Sequence, residues 1–204
     1  MPLKLRRAFV ALGLLTSALV TAVVAAPSVG ADPDLDINWV VDAQTHIARL
    51  NQDISVTGGS FIGTVDLGTG DLTGDLTLPP ATTQLKLGSL PLANVTFELV
   101  PVGPVIGHVD LSTLTVTQTA TFNIRIPSIR PVLLPINLVG SRCQTATPIT
   151  ITMSGPVDLV NGTTLSGEFT IPQFKNCGLL VTPVLNLVVP GGGNTFSATA
   201  RPAA

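Results

Sequence analysis

The stretch "LTVTQTATFNIRI", residues 114–126, decides the fold class of this chain. Its even positions hold apolar or small residues and one Gln, whereas every odd position is Thr, Asn or Arg. Strict alternation over thirteen residues predicts a long β-strand with one buried face and one polar face. Shorter alternating runs at 71–78, 95–99 and 149–153 predict further strands of the same kind.

A five-residue pattern recurs three times, as "GTVDL" from Gly63, "GHVDL" from Gly107 and "GPVDL" from Gly155. Each copy precedes a turn-like segment and a second alternating run, so we predict three related β units rather than a site. The repeated Val side chains are expected to be buried and the repeated Asp side chains to cap turns: Val65, Val109 and Val157, and Asp66, Asp110 and Asp158. Convergence of the three aspartates on one point would instead indicate a metal site.

The chain contains 19 Gly and 17 Pro, which favours an all-β domain with many turns. We predict a single all-β domain over residues 32–204, either a barrel or a two-sheet sandwich; a trefoil-like pseudo-threefold arrangement is the alternative. One short helix is predicted at 183–189, with Thr182 as its N-cap and Pro183 at its first position.

Two segments are harder to assign. Residues 36–50 fit helical spacing but are also rich in β-branched side chains. Residues 127–139 are interrupted by Pro127, Pro131 and Pro135, so we predict an extended connection or an edge strand there.

Residues 1–31 have the composition of a secretory signal peptide. The basic residues Lys4, Arg6 and Arg7 precede an apolar run over 8–26, and small residues at 29–31 predict cleavage after Ala31. An uncleaved membrane anchor is the alternative. No later apolar run reaches spanning length without Pro or polar interruption, so the remaining chain is predicted to be secreted or envelope-associated and not membrane-spanning.

Charge and cysteine content exclude some function classes. All twelve acids but only seven of the ten Lys and Arg lie in residues 32–204, which gives that part a formal charge of −5. Without a basic stripe, nucleic acid is not a predicted partner. The only cysteines, Cys143 and Cys177, are predicted to form a disulfide, because a catalytic thiol or a metal pair would need His or further Cys nearby.

Candidate groups for acid–base or metal chemistry are few. The two histidines are His46 and His108, and the other copies of the repeat have Thr64 and Pro156 where His108 stands. Asp32, Asp34 and Asp36 have a spacing that resembles calcium loops, but they are predicted to form a solvated acidic tip. No catalytic residue, metal ligand or cofactor is predicted.

Leu, Val and Ile are abundant well beyond the alternating strands, as in "RPVLLPINLV", residues 130–139. We predict that some inward side chains, Val116, Phe122 and Ile124 among them, line a cavity for an apolar small molecule. The predicted function is therefore non-catalytic binding of a lipid or isoprenoid-like ligand at the cell envelope. A structural or adhesive surface protein is the alternative, and a hydrolase with a site assembled by the fold is the third.

Residues 38–78 resemble the start of YceI-like proteins, a family of exported barrels that hold polyisoprenoid lipids. Trp39, Val41, Asp42 and His46 match the family's first segment, and Phe61, Gly63, Asp66 and Leu67 match its second. The resemblance implies an exported barrel with a polyisoprenoid ligand. The whole chain is also similar to small exported actinobacterial proteins of unassigned function.

Overall fold

The computed structural model describes residues 34–87, 89–158 and 161–203, and most of these residues are in β-strands. The predicted signal peptide, residues 1–31, and its cleavage site lie outside the described residues. In chain order the elements are β1 (Asp34–Ile47), β2 (Gln52–Asp66), β3 (Asp71–Thr77), β4 (Ala81–Leu87), β5 (Leu90–Pro101), β6 (Val105–Asp110), β7 (Thr115–Pro131), β8 (Gln144–Thr145), β9 (Ile149–Pro156), β10 (Thr163–Ile171), β11 (Phe174–Lys175), α1 (Val181–Val188) and β12 (Gly191–Pro202).

Eight antiparallel strands close into a barrel in the order β1, β2, β3, β6, β7, β9, β10 and β12. The last strand pairs again with the first, from Trp39 opposite Pro202 to His46 opposite Thr195. The all-β prediction is confirmed, and of the architectures considered the chain adopts the barrel. Closure leaves no unpaired edge between β1 and β12, the first and last strands of the described residues.

The barrel has two different ends. At the turn end lie the hairpin turns after β2, β6 and β9, together with the start of β1 and the end of β12. At the helix end lie α1, the β4–β5 hairpin, the connection over residues 132–143, and a 3-10 turn, Ala48–Leu50, that joins β1 to β2.

The three repeated segments end the first strand of three hairpins, all at the turn end. Each aspartate accepts hydrogen bonds from backbone N–H groups two or three residues further on: Asp66 from Gly68 and Thr69, Asp110 from Ser112 and Thr113, and Asp158 from Asn161. Val65 and Val109 are buried, and Val157 packs partly buried against the core. The prediction that these aspartates cap turns is therefore confirmed.

The polarity pattern of residues 114–126 places β7 correctly, with one exception. Val116, Ala120, Phe122 and Ile126 are buried on the inward face. Leu114 does not belong to that face: it has a φ of 52° in the turn before β7 and is 55% exposed. The turn occupies residues 111–114, so the strand begins one residue later than the alternation does.

Two of the prolines predicted to interrupt residues 127–139 lie inside β7. Pro127 lies opposite the register shift between Thr96 and Glu98 of β5, where the ladder is already irregular. Pro131 is the last residue of the strand. Proline is tolerated at bulges and strand ends because no ladder N–H is required there. The irregular connection therefore begins after Pro131 rather than at residue 127.

The predicted helix is present but begins earlier than expected. It starts at Val181, and Leu180 rather than Thr182 is its N-cap. The Thr182 hydroxyl instead accepts a hydrogen bond from the Cys177 N–H at 3.1 Å. Pro183 lies in the first turn, where backbone N–H groups have no intrahelical partner to lose. The ambiguous segment 36–50 is strand up to Ile47.

The predicted disulfide is confirmed. Cys143 and Cys177 are bonded, with Cα atoms 4.2 Å apart, and both side chains are fully buried. The bond joins the end of the 132–143 connection to the segment that leads into α1. A disulfide of this kind fits an oxidising, extracytoplasmic compartment.

Candidate functional site

The helix end of the barrel contains an apolar cavity of about 130 Å³. Inward side chains of β5, β7, β10 and β12 line it, including Phe97, Leu99, Phe122, Ile124, Phe169 and Phe196. Helix α1 covers this cavity at the helix end of the barrel with the side chains of Leu185 and Val188. These two residues are three apart on the helix and so lie on the same face.

The turn end contains a second apolar cavity, of about 90 Å³. Its wall includes Ile37 and Trp39 of β1, Val116 of β7 and Leu165 of β10. Leucines of the hairpin turns border it: Leu67, Leu111 and Leu114. Their partial exposure therefore has a local reason, since they surround the mouth of this cavity.

A small void of about 20 Å³ lies between the two cavities. It shares Leu76 and Met153 with the turn-end cavity. It shares Leu99, Phe122 and Phe196 with the helix-end cavity. The three spaces therefore follow one another through the barrel, and only apolar side chains separate them.

The structure places all three sequence-predicted residues on these walls. Val116 lines the turn-end cavity, Ile124 lines the helix-end cavity, and Phe122 lies between them. Sequence reasoning did not name the contributions of β1 and α1. In β1, the apolar residues Leu35, Ile37, Trp39 and Val41 occupy every second position, which predicts a strand with these side chains facing inward. The helical spacing of other apolar residues in the same segment made this strand pattern ambiguous.

The cavity walls lack ionisable groups: no Asp, Glu, Lys, Arg or His is among the described residues that line them. Two threonines at their margins already have partners. Thr163 donates to the carbonyl of Pro156, and Thr45 donates to the carbonyl of Thr195 at 2.9 Å. These spaces are therefore suited to holding an apolar molecule by contact and shape, not to proton transfer.

A seam in the barrel wall borders the helix-end cavity. None of the backbone pairs among the described strands joins β2 to β4, although the two strands lie side by side. The amide of Gln52 crosses this seam and donates to the Thr83 hydroxyl at 2.5 Å and to the Gln84 carbonyl at 2.9 Å. Gln52 and Thr83 also line the cavity, so a side-chain bridge closes the wall where a ladder is missing.

Both histidines lie on the outer surface. The Nδ1 atom of His46 is 2.7 Å from a carboxylate oxygen of Asp53, and that of His108 is 3.6 Å from one of Asp71. His46 borders a shallow depression of the outer wall together with Glu168 and Ser197. The described residues contain no group of three His, Cys, Asp or Glu that could hold a metal ion. Asp32 of the acidic tip lies outside them.

Perturbed carboxylates are also on the outer surface. Hydrogen bonds from the hydroxyl and N–H of Ser112 and from Thr113 lower the pKa of Asp110 to about 2. The side chain of Arg201 and the N–H of Gly58 lower the pKa of Asp42. Strongly shifted pKa values can mark active sites, but these two accompany a hairpin turn and the β1–β12 closure.

Comparison of the chain with protein-family models, curated proteins and solved structures finds no match. The resemblance of residues 38–78 to YceI-like proteins therefore stays a prediction. Among the described residues, no helix is long and apolar enough to cross a membrane.

Proposed function

We propose that the protein is a secreted or envelope-associated, non-catalytic carrier that binds an apolar, lipid or isoprenoid-like molecule inside its barrel. The observation that carries this proposal is the row of three voids whose walls have no ionisable side chain among the described residues. A ligand held there needs no charged anchor. The resemblance to YceI-like proteins points to the same ligand class.

The dimensions of the voids favour a slender ligand. The helix-end cavity is about 130 Å³, close to the roughly 150 Å³ of an engineered apolar cavity that binds benzene. The inward residues of β1 extend for roughly 30 Å along the axis, given about 3.3 Å per residue and a strand tilt of about 40°. A long ligand therefore has to displace the separating side chains, Phe122, Phe196 and Met153 above all. A linear prenyl or acyl chain fits such a path.

Binding is expected to stabilise the fold. An empty apolar cavity costs about 24 cal/mol per Å³, which for the helix-end cavity is of the order of 3 kcal/mol. A ligand that fills this space and binds only the folded state raises the melting temperature with its concentration.

The experiment is thermal unfolding of delipidated exported protein titrated with prenols and fatty acids of increasing chain length. We expect a concentration-dependent rise in melting temperature. Val116→Phe and Ile124→Trp put bulk into the two cavities and should reduce that rise. Thr117→Phe is the matched control, because Thr117 lies on the same strand and is exposed. No rise with any ligand, or the same rise in all three variants, would contradict the proposal.

The second candidate is a structural or adhesive surface protein. Nearly complete exposure of Leu133 and Leu179 favours it, because such side chains often mark contact surfaces. Mass spectrometry of organic extracts from natively purified protein distinguishes the two. A carrier releases a defined apolar molecule, whereas an adhesive protein with unoccupied cavities releases none.

A further inference from the structure

The helix end carries large aliphatic side chains on its outside as well as on its inside. Leu133 is 91% exposed, Leu179 96% and Leu180 84%. They belong to a larger exposed set from three segments, which we call the apolar end surface: Leu90, Leu92, Val132, Leu133, Leu134, Ile136, Leu138, Leu179, Leu180, Val184 and Leu187. Contiguous exposed apolar surface on a small protein marks an interaction site.

Direct contacts hold the three segments of this surface together. The Val132 N–H donates to the Leu92 carbonyl at 3.0 Å, which attaches the 132–143 connection to β5. The Cys143–Cys177 disulfide attaches the same connection to the segment before α1. These side chains therefore form one surface at one end of the barrel.

Helix α1 is apolar over two neighbouring faces, one toward the cavity and one exposed. Leu185 and Val188 face the helix-end cavity, whereas Leu180, Val184 and Leu187 are exposed and spaced as one helical face. A helix that only had to cover the cavity would have a polar outer face. The outer face of α1 is instead suited to an apolar environment.

Basic residues surround the apolar end surface. Of the seven Lys and Arg in the described residues, only Arg201 lies toward the turn end. Lys86 pairs across β4–β5 with Pro91, Arg130 comes just before the 132–143 connection, and Arg142 borders the start of α1. None of these three takes part in a salt bridge among the described residues, and all three are exposed.

Acidic residues are concentrated at the opposite end. Asp34, Asp36, Asp66, Asp110 and Asp158 all lie at the turn end. Toward the helix end, Glu98 pairs with Arg125 and Asp53 with His46. Glu168 is the remaining acid in this half; it is exposed and has no salt bridge among the described residues. Against these three acids stand six of the seven described Lys and Arg. The charge distribution therefore presents a positive end to any partner of the apolar end surface.

We propose that the apolar end surface docks onto an anionic lipid bilayer, with α1 and residues 132–138 at the level of the headgroups. Aliphatic side chains surrounded by Lys and Arg are the combination that binds interfacially to anionic membranes. The docked barrel presents its helix-end cavity, covered by α1, to the bilayer. Docking does not depend on the proposed ligand, because the surface and the cavity walls use different side chains.

The test is co-sedimentation of the exported protein with vesicles of phosphatidylcholine alone and of phosphatidylcholine with phosphatidylglycerol. We expect binding to the anionic vesicles, weakened by salt, and little binding to the neutral ones. Leu133→Ser with Leu179→Ser should weaken binding at least tenfold. Lys86→Gln and Arg130→Gln should each weaken it about fivefold on anionic vesicles.

The matched control is Ile62→Ser with Ile106→Ser, which removes two exposed apolar side chains from the outer wall of the barrel. It should bind as the unchanged protein does, and any contribution of residues 1–33 is common to all variants. Equal loss in both double variants, or no binding to anionic vesicles, would overturn the proposal. So would concentration-dependent self-association that the Leu133 and Leu179 substitutions abolish. The cavity-filling substitutions Val116→Phe and Ile124→Trp should leave vesicle binding unchanged. Vesicle binding therefore tests docking, whereas the ligand-induced rise in melting temperature tests ligand binding, and either can fail without the other.

Discussion

Cys143 and Cys177 fasten the 132–143 connection to the segment that leads into α1, with their Cα atoms 4.2 Å apart. Two residues beyond Cys177 the chain reaches Leu179, and Leu185 on the following helix closes the helix-end cavity. Asn186 completes the attachment, because its side-chain amide bonds to both the N–H and the carbonyl of Phe174. The cover of the cavity is thus held by one covalent bond and one bidentate side chain.

Loss of the disulfide should destabilise the protein and loosen α1 first. The bond spans a sequence separation of 34 residues, for which the chain-entropy model gives a stabilisation of at most about 4 kcal/mol. We expect Cys143→Ser with Cys177→Ser to lower the free energy of unfolding by about 2–4 kcal/mol. Hydrogen exchange should accelerate most in residues 179–188. The double variant should not respond to reductant, and an unchanged free energy of unfolding would contradict the prediction.

Asp110 should make the stability of the protein sensitive to acid. Its pKa is about 2 in the folded protein, below the roughly 3.9 of an unfolded chain. A carboxylate with a lowered pKa stabilises the fold above about pH 4, and this contribution disappears as the pH falls toward 2. The difference in free energy of unfolding between the natural protein and Asp110→Ala should therefore shrink over this interval.

The donor that contributes most is the Ser112 hydroxyl, 2.6 Å from the carboxylate. Ser112→Ala should raise the pKa of Asp110 as followed by carbon NMR of the carboxyl group. A pKa that stays near 2 in this variant would contradict the assigned cause.

Gly70 and Gly103 offer a matched test of the turn geometry. Both have positive φ, 81° and 86°, but a Cβ on Gly70 would meet the Val109 carbonyl oxygen at 2.4 Å, whereas one on Gly103 meets nothing within 4 Å. Gly103→Ala should cost about 1 kcal/mol from backbone strain alone. Gly70→Ala should cost about 3 kcal/mol or more, since it also disturbs the hydrogen bond from the Val109 N–H to the Gly70 carbonyl. Equal losses in chemical denaturation would show that the close approach has no effect.

Local patterns in the sequence predict local features of this protein well. Alternation places Val116 and Phe122 inside, and an even number of cysteines predicts the bond between Cys143 and Cys177. The Asp of each repeated segment precedes its turn because a carboxylate there can accept the turn's N–H groups. The strand faces and the turn caps depend on a few neighbouring residues. The disulfide is predictable because each of the two cysteines has only one other cysteine to pair with.

Long-range features are not predictable in the same way. No local pattern shows that Trp39 lies opposite Pro202, although this pairing of β1 with β12 closes the barrel. Taken alone, Pro127 predicts that the strand is interrupted. The strand continues because Pro127 lies opposite a register shift in β5, and that shift cannot be read from the sequence. Exposure of Leu133 and Leu179 contradicts the usual assumption that aliphatic runs are buried, and no local pattern in the sequence distinguishes these two residues from core leucines.

Phe122 should control how long a ligand the barrel accepts. It lines both the middle void and the helix-end cavity, so its ring is one of three side chains, with Leu99 and Phe196, that lie between them. Phe122→Ala should cost about 3–5 kcal/mol in the free energy of unfolding and join the two spaces. Phe169→Ala is the matched control, because Phe169 is also buried and lines the helix-end cavity but not the middle void. Both variants should lose similar stability, but only Phe122→Ala should extend the chain length at which the ligand-induced rise in melting temperature is largest. An equal extension in both variants would assign the limit to cavity volume instead of to Phe122, and no extension in either would place the limit elsewhere on the wall.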